Sequence, residues 1–350
     1  PADPFLYDLR IELLEGGEVV DSVESYAGLR KIHIDGNKIL LNNEPIFLRF
    51  VLDQGFYPHG IWTAPSDAEL KRDVERSMAV GFNGARLHQK VFEERFHYWA
   101  DRLGYLTWGE FADWQPGRNY NDVRAVYNLH TEWREVVVRD LNHPSIVAWT
   151  PTNETVGSAN ANLVRHRRIM QDLVDLTRSV DPTRPVNDCS GYVHVDTDIF
   201  TVHDYEQDTE ELRKHYAALT SEARDGFHIN SKELSPPYQG QPFVVDEYGG
   251  TWWRPEHADE AGESTGDRKK SWGYGKTPDS IEEVYQRIEG LTKVLADHPH
   301  ISGFTYTQLT DVEQEENGIY TYDRKLKFDA ERLRKAFGAP AAIEGSQNDT

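Results

Sequence analysis

The feature that most constrains the fold of this chain is a series of short apolar runs separated by longer stretches with helical periodicity. Eight runs follow one another from about residue 46, namely Ile46–Leu52, Asn83–Leu87, Leu106–Trp108, Ile146–Trp149, Pro185–Asp188, Ile199–Val202, Phe243–Val245 and Ile301–Tyr306. Most of them are apolar throughout, as parallel strands covered on both faces should be. Strands that alternate with helices predict an α/β fold, and eight such units predict an eight-stranded (β/α) TIM barrel.

The stretches between the runs carry signals for the starts and ends of helices. Ser66 and Glu69 form a capping box, and Gly81 ends the helix that follows. Residues 161–180 and 281–296 have the apolar spacing of further amphipathic helices. The segment between the fifth and sixth runs is too short for a full helix, so we expect one irregular β/α unit.

The first thirty residues have a different pattern from the rest. Residues 5–27 contain two strand-like runs around a Glu-Gly-Gly turn, and so small a sheet is marginally stable alone. We interpret residues 1–30 as the remnant of a β-sandwich, residues 31–340 as the barrel and residues 341–350 as a flexible tail. The chain opens at Pro1 without an initiator Met, so we expect upstream residues to be missing, and cytoplasmic and secreted locations both stay open.

The composition excludes several classes of partner. The formal net charge is −21, and so acidic a chain repels nucleic acid and anionic lipid. No apolar stretch approaches the roughly 20 residues that cross a bilayer. Cys189 is the only cysteine, which excludes an internal disulfide and a zinc site made of several cysteines. We therefore predict neither nucleic acid nor a membrane as a partner.

Polar side chains follow the apolar runs. In a β/α barrel the carboxyl ends of the strands meet at one face, where catalytic side chains gather. From the first run to the last, these residues are Asp53, Gln54, Arg86, His88, Gln89, Glu110, Asn153, Glu154, Asp188, His203, Asp204, Tyr205, Asp246, Glu247, Tyr248, Gln308 and Asp311. A ring of carboxylates with His, Asn, Arg and Tyr at one end of a barrel indicates a reactive site.

Two glutamates in this ring suit one particular chemistry. Glu154 and Glu247 follow the fourth and seventh runs and should face each other across the barrel mouth. Glycoside hydrolysis needs such a pair, with one acid to protonate the leaving oxygen and one carboxylate to capture the oxocarbenium-like centre. In a retaining enzyme the two carboxyl groups lie about 5–5.5 Å apart. Tyr205 is placed to donate a hydrogen bond to the nucleophile, and Asn153 to hold the sugar 2-hydroxyl.

Aromatic residues follow the seventh run, in a segment rich in glycine and charge. Trp252 and Trp253 offer ring faces for sugar binding, as do Trp272 and Tyr274, although such rings can instead pack the segment against the barrel. The histidines show no metal-ligand spacing, and the chain has no glycine-rich phosphate loop. We predict no metal and no cofactor.

Five segments resemble glycoside hydrolase family 2, the retaining β-galactosidase, β-glucuronidase and β-mannosidase group. LNHPSIVAWTPTNE resembles the family's acid/base signature, and PFVVDEYGG its nucleophile strand. FNGARLHQ and YLTWGEF resemble its second and third strands, and GFTYTQLTDVEQEENGIYTYDR its eighth. The motifs occur in the family's order, and the likeness begins at residue 5. It implies that the first strands are the end of an immunoglobulin-like domain.

The resemblance implies a role for individual residues. Glu154 aligns with the acid/base and Glu247 with the nucleophile. Asn153 aligns with the asparagine before the acid, and Tyr205 with the tyrosine partner of the nucleophile. The substrate-binding residues are predicted from three sources: the strand ends, the aromatic segment and the family resemblance. They are Asp53, Arg86, His88, Glu110, Asn153, His203, Tyr205, Trp252, Trp253 and Gln308.

The same resemblance bears on the sugar. Family glucuronidases carry an Asn-x-Lys clamp for the sugar carboxylate after the eighth strand. The aligned stretch EENGIYTYDR lacks it, and the Asn-Ser-Lys at 230–232 lies before the seventh strand. A neutral glycone such as galactose is therefore implied more than a uronic acid. Nothing of the family's N-terminal jelly-roll domain appears in this sequence, so three expectations stay open: a trimmed sequence, a truncated gene, or a site completed by another chain, in a homo-oligomer.

Three hypotheses follow. The first is a retaining exo-β-glycosidase, β-galactosidase-like, that hydrolyses terminal β-linked sugars by double displacement. The second is a β-glucuronidase or an endo-acting enzyme on the same scaffold, since a closed pit implies exo action and an open cleft endo action. The third is a catalytically idle carbohydrate-binding barrel that lacks its N-terminal domains. Each has an oligosaccharide or glycoside as its partner.

Overall fold

The computed structural model describes residues 3–113, 120, 122–254 and 271–345. The strands are β1 (Tyr7–Glu15), β2 (Glu18–Ala27), β3 (Ile32–Asp35), β4 (Lys38–Leu41), β5 (Glu44–Pro45), β6 (Leu48–Asp53), β7 (Gly84–Leu87), β8 (Leu106–Glu110), β9 (Ile146–Thr150), β10 (Phe200–Asp204), β11 (Phe243–Gly249) and β12 (Ile301–Thr307). The helices are α1 (Asp67–Ala79), α2 (Glu94–Leu103), α3 (Val123–Asp140), α4 (Val156–Ala161), α5 (Leu163–Val180), α6 (Thr209–Tyr216), α7 (Ile281–Ala296), α8 (Ala330–Phe337) and α9 (Ala342–Gly345).

Seven of these strands form one curled parallel sheet, in the order β10-β11-β12-β6-β7-β8-β9. Side chains along a strand point alternately to its two faces. Leu48 and Phe50 of β6 pack with Trp108 of β8 in a cluster that fills the space enclosed by the curled sheet. Val51 instead packs with Leu70 of α1 in the larger cluster between sheet and helices. The chain is therefore an α/β barrel, as predicted.

The prediction of an eighth strand at the fifth apolar run is wrong for the described residues. Val186 makes only an isolated bridge, with Trp149 of β9. On the other side, the Asn187 amide donates to the Thr201 hydroxyl on β10 at 3.1 Å. The segment fills the gap between β9 and β10 without a regular ladder, because Pro185 has no N–H to donate and a side chain makes the contact to β10.

The predicted helix signals are mostly confirmed. The Ser66 hydroxyl accepts a hydrogen bond from the Glu69 N–H at 3.3 Å, and α1 begins there. The single helix predicted over 161–180 is wrong at its start: Asn162 has an extended backbone and separates α4 from α5, and its side chain caps α5 by accepting from the Arg165 N–H at 3.1 Å. None of the described helices is both long and apolar enough to cross a membrane.

Two small sheets precede the barrel. β1 and β2 form an antiparallel pair that is exposed along almost its entire length. The Tyr26 hydroxyl at the end of β2 donates to Asp101 on α2 at 2.7 Å. The assignment of this pair to a β-sandwich, with a boundary at residue 30, stays a prediction.

The second small sheet closes the amino-terminal end of the barrel. β3 and β4 form the predicted hairpin, in which Asp35 pairs with Lys38. Ile32, Ile39 and Leu41 enter the interior cluster, and the sheet seals the end opposite to the strand ends that carry the polar ring.

The predicted flexible tail is wrong for residues 341–345. Ile343 is buried, and the Glu344 carboxylate pairs with the Arg49 guanidinium at 2.5 Å. One oxygen of Glu344 also accepts from the Phe47 N–H at 3.2 Å. This apolar contact and ion pair hold α9 against the start of β6. Residues 346–350 lie outside the described part of the chain.

Candidate active site

Glu154 lies just beyond β9, where the backbone makes a tight turn. Its φ is 51°, in the left-handed region that non-glycine residues seldom adopt. Its N–H donates to the Ser190 carbonyl at 3.1 Å, and one carboxylate oxygen lies 2.9 Å from His203 Nδ1. These two contacts turn the half-buried carboxylate into the barrel mouth.

A β-bulge on β11 places two acids in the same cavity. Asp246 and Glu247 together oppose one residue of β12, whereas a regular strand would point them to opposite faces. Asp246 accepts a hydrogen bond from the Ser190 hydroxyl at 2.7 Å. Glu247 accepts one from the Tyr205 hydroxyl at 2.5 Å. Both side chains therefore reach the barrel interior.

The structure brings the two predicted catalytic glutamates together. One carboxylate oxygen of Glu154, one of Glu247 and a ring nitrogen of His203 all lie within 4.8 Å of one another. His203 Nδ1 is 2.9 Å from Glu154 and 3.3 Å from Glu247. This spacing corresponds to the carboxyl separation of about 5–5.5 Å found in retaining glycosidases rather than the wider one of inverting enzymes.

Glu247 is held in its ionised form. The Arg86 guanidinium donates to one of its oxygens, and Tyr205 to the other. Burial by itself raises the pKa of Glu247, but the positive charges of His203 and Arg86, followed by His88 and the Tyr205 hydroxyl, lower it to about 2. At neutral pH this carboxylate is a charged, oriented group.

Arg86 is the shared counter-ion of the interior acids. It is fully buried, and its Nη1 lies 3.4 Å from Glu110 and 3.5 Å from Asp246. Burial raises the pKa of Glu110, but Arg86 and His88 outweigh it and the net shift is downward. For Asp246, burial is the largest effect and the pKa is raised despite Arg86 and His203.

His203 donates hydrogen bonds in two directions. Its Nε2 lies 3.0 Å from the Ser190 oxygen, whose hydrogen is directed to Asp246, so Nε2 is the donor. Its Nδ1 faces Glu154. Burial lowers the pKa of His203, but the charges of Glu247 and Asp246 raise it by more. These two charges therefore favour the protonated form of the ring, which lies between the two glutamates.

Asn153 has a free donor in the same cavity. Its Oδ1 lies 3.5 Å from Arg86 Nη1, while its buried Nδ2 has no hydrogen-bond partner among the described residues. Buried polar atoms are rarely left unpaired without a reason. This donor suits the predicted contact with a sugar hydroxyl.

Two predicted substrate-binding residues lie elsewhere. Asp53 is on the outer face of β6, in phase with Val51, so its prediction is corrected. Burial and the charge of Asp73 raise the pKa of Asp53 to about 6, against the opposing effect of Arg324. Trp253 is 7% exposed and packs into the cluster between sheet and helices, which leaves no ring face for a sugar.

The positions of Trp252 and Gln308 are compatible with the predicted substrate binding. Trp252 is half-buried, and its indole N–H donates to Ser271 at 2.7 Å. Gln308 is buried directly after β12, where its Oε1 accepts from Gln54 at 2.8 Å and its amide donates to Asn317 at 2.9 Å. Sugar binding by either residue stays a prediction.

Two further residues reach the site. Tyr274, considered among the aromatics of its segment, stacks on Tyr205 with ring centroids 3.4 Å apart. Glu315 is not predicted from the sequence, because Glu315 and Glu316 are equivalent neighbours in an acidic loop. Contacts made only in the fold distinguish them: Glu315 bonds to Gln54, and Glu316 to Ser271.

A second group of metal-ligand side chains lies behind β10. One ligand atom from each of Asp204, His215 and His228 lies within 4.8 Å of the others. Asp204 accepts from His215 Nδ1 at 2.8 Å and from the Tyr216 hydroxyl at 2.9 Å. Hydrogen bonds within the protein therefore account for this group.

An α/β barrel with two close glutamates on opposed strand ends, one of them ionised beside a buried arginine, has the architecture of the retaining glycoside hydrolases. The chain belongs to glycoside hydrolase family 2, since the TIM-barrel domain of "Glycosyl hydrolases family 2" matches residues 32–255.

Relatives with different names share this barrel. A β-glucuronidase of Bacteroides fragilis is 24% identical over 95% of this chain and 48% of its own length. A β-galactosidase of Vibrio vulnificus is 26% identical over 52% of this chain and 17% of its own length. The crystal structure of Bacteroides uniformis β-glucuronidase superposes with a TM-score of 0.76, at 20% identity, over 96% of this chain and 41% of that chain. The chain thus spans less than half the length of each of these proteins.

Proposed function

We propose that this chain is the catalytic barrel of a retaining exo-β-glycosidase. The observation that carries the proposal is the approach of Glu154 and Glu247, whose carboxylate oxygens lie within 4.8 Å of each other. That distance lets one carboxylate attack a sugar carbon while the other protonates the departing oxygen, and leaves no room for a water on the far face. Membership of family 2 supports the same reaction.

In the first step an oxygen of Glu247 forms a bond to the anomeric carbon, and the bond from that carbon to the aglycone oxygen breaks. Glu154 transfers its proton to this oxygen, so the aglycone leaves as a neutral alcohol. The products are a glycosyl ester on Glu247 and an ionised Glu154. Arg86 and Tyr205 orient the attacking carboxylate, and the unpaired amide of Asn153 binds a hydroxyl of the glycone.

In the second step Glu154 takes a proton from a water molecule, and the water oxygen attacks the anomeric carbon. The ester bond to Glu247 breaks, and the carboxylate returns to its contacts with Arg86 and Tyr205. Two inversions at the same carbon release the sugar with its original β configuration. His203 Nδ1 lies 2.9 Å from Glu154 and orients its carboxyl group.

The first candidate glycone is galactose, because the chain lacks the Asn-x-Lys clamp of family glucuronidases. The second candidate is glucuronic acid, which is supported by the name of the Bacteroides fragilis relative that aligns with 95% of this chain. A panel of nitrophenyl β-glycosides separates the two, and terminal against internal cleavage of an oligosaccharide separates exo from endo action.

Azide rescue tests the two roles. The Glu247→Ala variant should lose at least 10⁴-fold in kcat by rough estimate, and azide should restore turnover with an α-glycosyl azide as product, because azide enters where the carboxylate stood. Glu154→Ala should form the β-glycosyl azide, since azide then attacks the glycosyl enzyme from the opposite face. The exposed Glu233→Ala variant is the matched control. Sugar binding with no turnover in the unmodified chain would instead support the idle barrel.

A further inference from the structure

A carboxylate surrounded by amides lies in the loop after β12. Glu315 Oε2 accepts from Gln54 Nε2 at 3.1 Å, and Oε1 accepts from Asn317 Nδ2 at 3.2 Å. The Gln54 amide also reaches Gln308 Oε1 at 2.8 Å, and the Gln308 amide donates to Asn317 at 2.9 Å. Three amide side chains thus fix one half-buried carboxylate.

The Glu315 carboxylate lies at the carboxyl-end face of the barrel, because it is bonded to Gln54, which directly follows β6, and Gln54 is bonded to Gln308, which directly follows β12. The backbone N–H of Trp272 donates to the carbonyl of the residue before Glu315 at 2.8 Å, and the Trp272 ring meets Tyr274 edge-on at 5.6 Å. Tyr274 stacks on Tyr205, whose hydroxyl bonds Glu247. Burial is the main cause that raises the pKa of Glu315, and the charge of Glu247 also raises it, against the hydrogen bonds from Asn317 and Gln54 and the charge of His88.

The cations of this part of the molecule are engaged by other acids. Arg86 pairs with Glu110 and Glu247, and Lys327 pairs with Asp311 at 2.5 Å. Among the residues that the structure describes, no lysine or arginine forms an ion pair with Glu315. A substrate carboxylate bound on this side of the site would face the negative charge of Glu315, with no lysine or arginine paired to it among the described residues.

We propose that Glu315, fixed by Gln54 and Asn317, selects glycones that carry no carboxylate, so that neutral hexosides are cleaved in preference to hexuronosides. The inference rests on the proposed glycosidase function and names the residue that sets its substrate class. The carboxylate oxygens accept hydrogen bonds from sugar hydroxyls, whereas the carboxylate of a uronic acid has no hydrogen to donate and repels them. Sites built to bind a hydroxyl reject an analogue that leaves their polar groups unpaired.

The test compares sugars that differ only at the exocyclic carbon. The kcat/KM of nitrophenyl β-D-galactoside is divided by that of the β-D-galacturonide, and the same ratio is taken for the glucoside and the glucuronide. For the pair whose neutral sugar is cleaved faster, we expect a ratio of at least about 100, because the carboxylate of the uronide would lie close to the like charge of Glu315. Glu315→Gln should lower it at least tenfold, and Glu313→Gln, which removes an exposed charge from the same loop, should change it less than twofold.

The pH supplies a second readout. Because the pKa of Glu315 is raised, the ratio should shrink as the pH falls and Glu315 takes up a proton. Protonation of Glu247 affects both sugars of a pair alike and cancels in the ratio. The Glu315→Gln variant should show no such decline. An unmodified chain that prefers the uronide, or a ratio unchanged in Glu315→Gln, would overturn the inference.

Failure of the proposed function is distinguishable from failure of this inference. If none of the four glycosides is cleaved, the glycosidase proposal fails, and calorimetric binding of isofagomine and of its uronic acid analogue still measures the selectivity. Tighter binding of the neutral compound, with the difference reduced in Glu315→Gln, supports the inference. Equal binding, or a difference that Glu315→Gln leaves unchanged, contradicts it.

Discussion

Tyr205 makes a single polar contact with Glu247, and its removal gives a clean prediction. In Tyr205→Phe the carboxylate loses one donor but keeps Arg86. Hydrogen bonds to charged groups contribute about 1.5–3 kcal/mol, so we expect kcat/KM to fall by roughly 10- to 100-fold. Steady-state kinetics on a nitrophenyl glycoside measures this loss.

Tyr238→Phe is the matched control, because the Tyr238 hydroxyl donates to the Gln241 carbonyl at 2.7 Å, away from the catalytic pair. A Tyr205→Phe enzyme within twofold of the unmodified chain would show that this hydrogen bond does not act on the reaction.

The charges around Glu247 predict an unusual acid limb in the pH profile. The proposed mechanism requires the ionised form of Glu247, and the pKa of this group is lowered from 4.5 to about 2. Activity should therefore persist below pH 4.5 and be lost only as the pH falls towards 2 or the fold fails. Rates from pH 3 to 9 test this, and an acid limb centred above pH 5 would contradict it. In Tyr205→Phe the limb should move upward.

At this scale the sequence predicts better which side chains meet at the barrel mouth than which way each of them faces, and the catalytic roles of Glu154 and Glu247 stay a prediction. Glu154 and Glu247 are found because polar residues at strand ends converge in any β/α barrel. Asp53 is misplaced because the face that a strand-end residue occupies depends on the phase of alternation, which a continuously apolar run conceals. Trp253 is misplaced because the burial of an aromatic residue in a loop is decided by contacts distant in sequence.

At the scale of elements, the apolar runs predict seven of the strands and fail at one. The fifth run has only Val186 as an apolar residue besides proline, and Pro185 and the side-chain contact of Asn187 replace a ladder there. The bulge on β11 also escapes prediction, since an extra residue leaves no trace where both faces of a strand are covered. Helix caps such as Ser66 are predicted because their hydrogen bonds are local.

The attachment of α9 to β6 yields a prediction about stability alone. Glu344→Ala removes the partner of the buried Arg49 guanidinium and an acceptor of the Phe47 N–H. We expect a loss of about 1–3 kcal/mol in the free energy of unfolding, because both donors lose a charged partner. Urea unfolding measures the loss, with the exposed Glu331→Ala as control. Since Arg49 lies near the start of β6, away from the carboxyl-end site, a large fall in kcat would contradict this separation.

For the whole molecule, the net charge of −21 predicts a dependence of stability on salt. Self-repulsion of a highly charged chain destabilises its compact state, and salt screens it over about 10 Å at 0.1 M. At pH 7.5 we expect the Tm to rise by a few degrees, roughly, between 0.02 and 0.3 M NaCl. Near pH 5.1, the isoelectric point, the rise should vanish. Scanning calorimetry at the two pH values measures the change in Tm with salt. An equal rise in Tm at both pH values would rule out self-repulsion as the cause.

The segment between β9 and β10 has no strand ladder, so the barrel wall is not equally stable all the way round. Backbone hydrogen bonds join this segment to β9 and the residues after it, whereas its contacts to β10 include the side chains of Asn187 and Thr201. Local opening should therefore cost less free energy on the β10 side than between regular strand pairs. Ser190, at the margin of this segment, receives the Glu154 N–H and supplies the hydroxyl that touches His203. Glu247 stands on a strand paired on both sides. The two proposed catalytic glutamates are thus held differently: Glu154 lies beside a segment that regular strand pairing does not fix, and Glu247 lies on a strand that is paired along both edges.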